Sequence, residues 1–247
     1  MRLISAKDSE EAGILAANIL AEQIRSKPDS VLGLATGGTP LGVYKTLVSL
    51  YRSGSLDFAN IRSVNLDEYA GLAADHPQSY AHYMHSNLFS NVNIHPSNVH
   101  IPAGIATDPT EECRRYDELI ADLGGIDLQL VGIGHNGHIG FNEPSDHFTK
   151  GTHCVDLTQS TIYANARYFE NTSDVPTQAY TVGVETIFRA RKILMVVIGK
   201  DKASILKKAL TGPVTPSVPA SILQLHPDFT IVADADALTE LNSRKLS

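Results

Sequence analysis

Cysteine is scarce in this sequence, and only Cys113 and Cys154 occur among 247 residues. Two cysteines cannot build the disulfide framework of a small secreted domain, nor a cysteine-rich metal module. The N-terminal segment also lacks the long apolar core of a secretory signal peptide. A reducing compartment, the cytoplasm, is therefore the expected location.

Long apolar runs and an excess of basic residues are absent as well. No apolar stretch approaches the ~18 residues that a membrane-spanning helix requires. The net charge of −7 argues against non-specific binding to nucleic acid or to an anionic membrane surface. An anionic substrate would need a local positive site to attract it against this background.

Short apolar runs alternate with segments of helical spacing along most of the chain. Strands are predicted at residues 3–6, 31–35, 61–66, 99–101, 126–133, 193–198 and 229–232, and helices at 8–25, 40–50, 80–88, 110–123, 201–210 and 217–225. This alternation predicts an α/β fold, a Rossmann-like three-layer sandwich with a mostly parallel central sheet, in one domain of residues 1–247. Residues 145–176 are polar and break the pattern, which indicates a lid-like insertion.

A glycine turn follows the predicted strand at residues 31–35. Gly37 and Gly38 expose consecutive backbone N–H groups, Thr39 can cap the next helix, and Pro40 suits its first position. A strand, a glycine turn and a helix N-terminus together favour an anion site. The turn matches neither a Walker A loop nor Gly-x-Gly-x-x-Gly, so a small phosphate ester is favoured over ATP or NAD. An ordinary capped turn remains the alternative.

Two adjacent carboxylates, Asp67 and Glu68, end the predicted strand at residues 61–66. Neighbouring side chains in extended backbone point in opposite directions, so one of the two is expected to enter a cleft. An aspartate in a partly dry site could take a carbon-bound proton beside a carbonyl group. A solvated or helix-capping pair is the alternative.

The glycine-rich motif at residues 132–144 follows another predicted strand and is poorly suited to a helix. His138 and Glu143 within it could form a carboxylate-oriented imidazole that transfers protons. His135, His138 and Glu143 could instead supply three zinc ligands. Their position on a glycine loop, and not on one helix face, favours the acid–base pair, while a purely structural histidine also stays open.

Two cations could complete a phosphate site. Arg167 lies in the lid-like segment, and Lys202 begins the helix after the most apolar strand. Either could contact a phosphate, although each alone is also typical of a solvated surface charge.

These clusters, in this order, resemble the glucosamine-6-phosphate deaminase family. The motifs are LGLATGGTP at 32–40, NLDEY at 65–69 and GHIGFNEP at 137–144, and the match extends over nearly the whole chain. The resemblance implies that glucosamine 6-phosphate and water yield fructose 6-phosphate and ammonium, in N-acetylglucosamine catabolism. It also implies that neither a metal nor an organic cofactor is required.

The resemblance further implies a role for each matching residue. Asp67 would be the base for enolisation, and His138 would open the sugar ring with help from Glu143 and Asn136. Some relatives carry aspartate at the position of Asn136, and an amide would orient its neighbours without relaying a proton. The phosphate ligands would be Gly37, Gly38, Thr39, Arg167 and Lys202.

The segment after the motif departs from the hexameric members of this family. Those members bind an allosteric amino-sugar phosphate with basic and hydroxyl residues there and have a longer C-terminal tail. Here Asp146 and Asp156 would repel a phosphate. We therefore expect no allosteric activation, and a monomer or small homo-oligomer in place of a hexamer.

Two other functions must be weighed against the deaminase. A 6-phosphogluconolactonase-like hydrolase has a related glycine–histidine motif, but lactone hydrolysis does not need an enolising base beside a ring-opening pair. A non-catalytic sugar-phosphate sensor would carry a DNA-binding module, for which this chain offers neither room nor a basic patch. Asp67 together with Glu143 favours the deaminase.

Overall fold

The computed structural model describes residues 1–166, 169, 171 and 174–242. Strands β1–β10 are Arg2–Ala6, Val31–Leu34, Arg62–Asn65, Asp67–Tyr69, Val99–His100, Leu128–Val131, His153–Asp156, Gln178–Thr181, Lys192–Val197 and Phe229–Asp234. Helices α1–α8 are Ser9–Ser26, Leu41–Arg52, Tyr80–Asn87, Pro109–Asp122, Gln159–Ala166, Val184–Phe188, Ala203–Thr211 and Thr239–Asn242. Short 3₁₀ turns lie at Lys200–Lys202 and Pro219–Leu225.

The main sheet has seven strands in the order β1-β10-β9-β6-β2-β3-β5, and all its pairs are parallel. One face packs on α1, α2 and α3, and the other packs on α4, α7 and α8. Strand β9 is buried along all but its first residue, as expected of a strand covered on both faces. The predicted α/β fold is confirmed. Within the described residues, no helix is long and apolar enough to cross a membrane.

The strand order reverses between β2 and β6. From β2 the chain continues to β3 on one side, whereas β6 is followed in the sheet by β9 on the other side. In open α/β sheets a crevice forms at such a point, outside the carboxyl ends of the strands. The segments that follow β9, β6, β2 and β3 therefore converge there.

A second sheet of three antiparallel strands, in the order β4-β8-β7, lies outside the predicted pattern. Its strands have only three or four residues, too few for a clear alternation of polar and apolar side chains. Strand β7 and helix α5 fall inside the segment at 145–176, so part of that predicted insertion is regular structure. Closure of this segment over a ligand stays a prediction.

Helix α2 begins one residue later than the sequence pattern indicates. The prediction that Thr39 caps it is wrong, because Pro40 occupies the cap position in helical backbone and no side chain accepts a first-turn N–H. Asp8 provides the contrast, since its carboxylate accepts the N–H of Glu11 at 2.8 Å and caps α1. The start of α2 therefore keeps N–H groups without a side-chain acceptor.

Candidate active site

A cavity of about 670 Å³ opens at the point where the strand order reverses. Its walls come from residues 35–40 after β2, Asp67 after β3, residues 132–136 after β6, and Lys202 after β9. This size lies within the range of small-ligand sites. The cavity brings together the three predicted clusters and one of the two predicted cations.

The glycine turn forms the end of the cavity at the start of α2. Gly37 has a φ of +98°, which favours glycine, and the hydroxyl of Tyr83 donates to its carbonyl oxygen at 2.7 Å. A Cβ built on Gly37 or Gly38 would meet no atom within 4 Å, so both backbones face open space. Lys202 lines the same cavity, and its burial lowers the pKa of its ammonium group.

The carboxylate of Asp67 enters the cavity, whereas that of Glu68 points away from it. Asp67 is 7% exposed, and its Oδ1 has no hydrogen-bond partner among the described residues. Burial, and then the neighbouring charge of Glu68, raise the pKa of Asp67 to about 8. A carboxylate with this pKa is suited to accept a proton near neutral pH.

The glycine loop, residues 132–144, holds a tight turn around His138. The N–H of Gly134 donates to the carbonyl oxygen of His138 at 2.9 Å, and the N–H of Gly137 donates to that of Gly134 at 2.9 Å. A Cβ on Gly134 would lie 2.2 Å from the imidazole of His138. A side chain at position 134 would therefore displace the ring from this position.

His138, Glu143 and Asn136 are in mutual contact. Nδ1 of His138 lies 3.4 Å from Oε1 of Glu143, without the alignment of a hydrogen bond. The amide of Asn136 donates to Oε2 of Glu143, and its oxygen accepts the N–H of His138 at 3.2 Å. Asn136 thus links the carboxylate of Glu143 to the backbone of His138.

His135 does not join this group. Its Nε2 lies 2.6 Å from Oδ2 of Asp201 in the turn that precedes α7, at the edge of the cavity. In the part of the chain that the structure describes, no three His, Cys, Asp or Glu side chains are grouped so that they could hold a metal ion.

Comparison with known proteins adds to this geometry. The family model for glucosamine-6-phosphate isomerases and 6-phosphogluconolactonase matches residues 7–231. A curated glucosamine-6-phosphate deaminase of Lachnoclostridium phytofermentans is 56% identical over 94% of this chain and 98% of that protein. The chain belongs to the glucosamine-6-phosphate deaminase family. A family member from Geobacillus is 52% identical over 99% of this chain and 98% of its own length.

Solved structures agree with this assignment. A structure described as a monomeric glucosamine-6-phosphate deaminase has a TM-score of 0.95 and 47% identity, over 97% of this chain and all of that one. A 6-phosphogluconolactonase of Thermotoga maritima has a TM-score of 0.72 and 20% identity, over 94% of this chain and 98% of that one. At that identity, the likeness to the lactonase shows a shared fold alone.

Several residues that line or support the cavity were not predicted from the sequence. Tyr80, the first residue of α3, lines the cavity, and Asp201 lies at its edge. Tyr83, one turn later in α3, supports the Gly37 turn. Of the predicted site residues, Arg167 alone lies outside the described residues.

The glycine loop is attached to the small sheet by two side chains. The hydroxyl of Thr181 accepts the N–H of Phe141 at 3.0 Å. The amide of Asn142 donates to the carbonyl oxygens of Val182 at 2.8 Å and Ile139 at 2.9 Å. The loop that holds His138 is thus bonded to β8, the strand beside Asp67.

Proposed function

We propose that this protein converts glucosamine 6-phosphate and water to fructose 6-phosphate and ammonium. The observation that carries the proposal is one cavity lined by an open glycine turn with Lys202, a buried Asp67 and the imidazole of His138. An anion cradle, a carbon-acid base and a proton shuttle are the three functions that this reaction needs. The enzyme would act in N-acetylglucosamine catabolism in the cytoplasm.

Phosphate binding is the first proposed step. The N–H groups of Gly37, Gly38 and Thr39, together with the start of α2, would hold the phosphate, and Lys202 would neutralise it. Arg167, which lies outside the described residues, is proposed as a second cation on the segment at 145–176, a lid within the single domain of residues 1–247. Binding energy gained far from the reacting carbons would position the sugar for chemistry.

Ring opening would follow at His138. The closed sugar hides its aldehyde, so a proton must pass from the anomeric hydroxyl to the ring oxygen. His138 would accept the proton of the anomeric hydroxyl and deliver it to the ring oxygen, while Glu143 and Asn136 hold the imidazole in place. The product of this step is the open-chain aldehyde at C1.

Asp67 would then act on the open chain. Its carboxylate removes the proton from C2, which the C1 aldehyde makes acidic, and returns it to C1 as the double bond shifts. The ammonium group on C2 gives one proton, through water, to O1 and becomes an iminium group. Water then adds to C2 and gives its two protons to the nitrogen, which leaves as ammonium as the C2 ketone of fructose 6-phosphate forms. This scheme uses side chains and water, with neither a metal nor an organic cofactor.

One assay tests the proposal directly. The protein is mixed with glucosamine 6-phosphate in the presence of EDTA, and ammonium and fructose 6-phosphate are measured together. Equal amounts of the two products are expected. Absence of both would overturn the proposal, and turnover only after addition of metal would favour the zinc hypothesis. Hydrolysis of 6-phosphogluconolactone, with no formation of ammonium or fructose 6-phosphate, would favour the lactonase alternative.

We also propose that the enzyme is a monomer without allosteric activation. Support comes from the 47% identity to a deaminase described as monomeric and from Asp146 and Asp156 after the motif. Light scattering coupled to size-exclusion chromatography is expected to give the mass of one chain. A hexamer, or a sigmoidal rate curve shifted by N-acetylglucosamine 6-phosphate, would contradict this proposal.

A further inference from the structure

Glu68 is a buried carboxylate for which the reaction scheme has no use. It is 1% exposed and follows Asp67 directly, yet its side chain lies on the opposite side of β4 from the cavity. Its oxygens accept three backbone N–H groups, from Tyr69 at 2.8 Å, Tyr80 at 2.9 Å and Ala81 at 2.9 Å. Burial raises the pKa of Glu68, and these three donors offset part of that rise, whereas Oδ1 of Asp67 has no donor among the described residues. The helix-capping alternative raised by the sequence therefore applies to Glu68.

These bonds fix the N-terminus of α3 to the strand that holds Asp67. Tyr80 and Ala81 are the first residues of α3, where an acceptor with negative charge is favoured. Tyr80 lines the cavity, and its ring stacks on Phe141 with an angle of 10° between the planes. The position of α3 thus shapes the wall of the cavity.

The same helix reaches the phosphate cradle at its next turn. Tyr83 lies three residues after Tyr80, and its hydroxyl donates to the carbonyl oxygen of Gly37 at 2.7 Å. A continuous set of contacts therefore runs from Glu68 through α3 to Gly37. The strand of the proposed base and the turn of the proposed phosphate site are connected by one short helix.

The charge of Glu68 also acts directly on Asp67. Among the described residues, the phenols of Tyr44 in α2, Tyr80 in α3 and Tyr116 in α4 also interact with Asp67, and burial raises their pKa values. The cation Lys202 faces the same cavity from the turn before α7. Those phenols are neutral at the pH where Asp67 titrates. His138 faces the same cavity from the glycine loop. Glu68 is therefore the negative neighbour of Asp67.

We propose that Glu68 is a positioning residue of the deaminase reaction: it fixes α3 and, through Tyr83, the Gly37 turn, and it places a negative charge next to Asp67 on the same strand. The expected effects on kcat/KM and on inhibition rest on the proposed function. The structural half of the proposal, the link to the Gly37 turn, and its electrostatic half, the charge beside Asp67, can be separated by substitution.

Three variants separate the two halves. Glu68→Gln keeps the size of the side chain and removes its charge. Glu68→Asp keeps the charge, but it is one methylene too short to reach all three donors. Tyr83→Phe removes only the hydroxyl that supports Gly37. Glu112→Gln is the control for loss of a buried carboxylate away from the site: Glu112 accepts the N–H of Ala103 at 2.6 Å, pairs with Arg115 at 2.7 Å and lies outside the cavity lining.

The electrostatic half is measured by infrared titration of the protonated carboxyl of Asp67, assigned by its loss in Asp67→Asn. Glu68→Gln is expected to move this titration to lower pH, and Glu68→Asp and Glu112→Gln to leave it near that of the wild type. The acidic limb of kcat/KM should move with it. Glu68 should titrate at lower pH than Asp67, and Asp67→Asn should leave that titration in place, because Asp67 is already protonated there. A Glu68 that titrates above Asp67 would overturn the electrostatic half, and this measurement does not need Glu68→Gln to fold.

The structural half is measured by competitive inhibition with inorganic phosphate. Tyr83→Phe and Glu68→Asp are expected to weaken it about five- to tenfold, the effect of one lost hydrogen bond of about 1 kcal/mol. Unchanged inhibition in both would overturn the link, and an unmoved Asp67 titration in Glu68→Gln would overturn the electrostatic half. If the wild-type protein forms no ammonium, the proposed function fails, whereas the infrared titration still tests the charge effect.

Discussion

Asp67 and Thr181 lie directly opposite each other in the antiparallel pair of β4 and β8. The hydroxyl of Thr181 also accepts the N–H of Phe141 in the glycine loop at 3.0 Å. A Cβ on Gly140 would lie 2.9 Å from that hydroxyl and 3.6 Å from Oδ2 of Asp67. A single threonine therefore sets the spacing between the strand of the proposed base and the loop of the proposed ring-opening pair.

Thr181→Val tests this spacing. Valine has the same shape, but it leaves the buried N–H of Phe141 without its acceptor, at a cost of about 1–3 kcal/mol in stability. We expect kcat to fall by about 10- to 100-fold with a smaller change in KM, because the catalytic groups shift while the phosphate cradle stays in place. Thr181→Ser keeps the hydroxyl and serves as the control. Equal kinetics for valine and serine would remove Thr181 from the mechanism.

Gly134→Ala tests the space occupied by the imidazole. The added Cβ would lie 2.2 Å from the ring of His138 and must displace it. Turnover of the closed sugar should fall by at least about 100-fold, whereas inhibition by inorganic phosphate should remain. Gly42→Ala is the control, since its Cβ would be 3.6 Å from Gly13, an ordinary van der Waals contact between α2 and α1. A Gly134→Ala enzyme with full activity would contradict a catalytic role for His138 in this position.

Asp67→Asn should abolish turnover and make the fold more stable at high pH. The pKa of Asp67 is about 8 in the folded protein, against about 3.9 for an unfolded chain. Between these values the folded state binds more protons, so its stability falls as pH rises from about 4 to about 8. Asparagine does not titrate, so the stability of the variant does not fall in this way. Its gain should be a few kcal/mol near pH 9 and vanish near pH 4, as measured by urea unfolding across that range.

Lys202→Gln should weaken phosphate binding without changing the proton-transfer groups. Loss of a charge-assisted hydrogen bond of about 1.5–3 kcal/mol predicts a KM about 10- to 100-fold higher, with a smaller effect on kcat. Lys200→Gln is the matched control, because Lys200 lies in the same 3₁₀ turn, is exposed and lies outside the cavity lining. Similar kinetics for the two variants would show that general surface charge, and not Lys202, attracts the substrate.

The parallel sheet could be predicted from the sequence because its strands are buried on both faces. The runs at β2 and β9 are apolar almost throughout, which neither a loop nor an exposed helix would tolerate. The placement of Asp67 and Glu68 on opposite sides of a strand follows from the two-residue period alone. The convergence of the polar clusters follows from their positions after parallel strands.

Contacts between distant short segments could not be predicted in the same way. Strand β4 has three residues, and its partner β8 comes much later in the chain, so no local pattern connects them. The donors to Glu68 at Tyr80 and Ala81 are backbone N–H groups, and the residue types in the sequence do not show which backbone groups will donate. The pairing of His135 with Asp201 depends likewise on how two loops meet.

The position of β4 has a consequence for the order in which the site can assemble. The Gly37 turn, Asp67 and the glycine loop are all synthesised before β8, which follows Asp67 by more than a hundred residues. Contacts of such high contact order form late, because a long loop must close first. A nascent chain that ends before β8 would lack both the strand that fixes Asp67 and the cation Lys202, so neither the base nor the charge of the phosphate site would be in place until the C-terminal part of the chain is made.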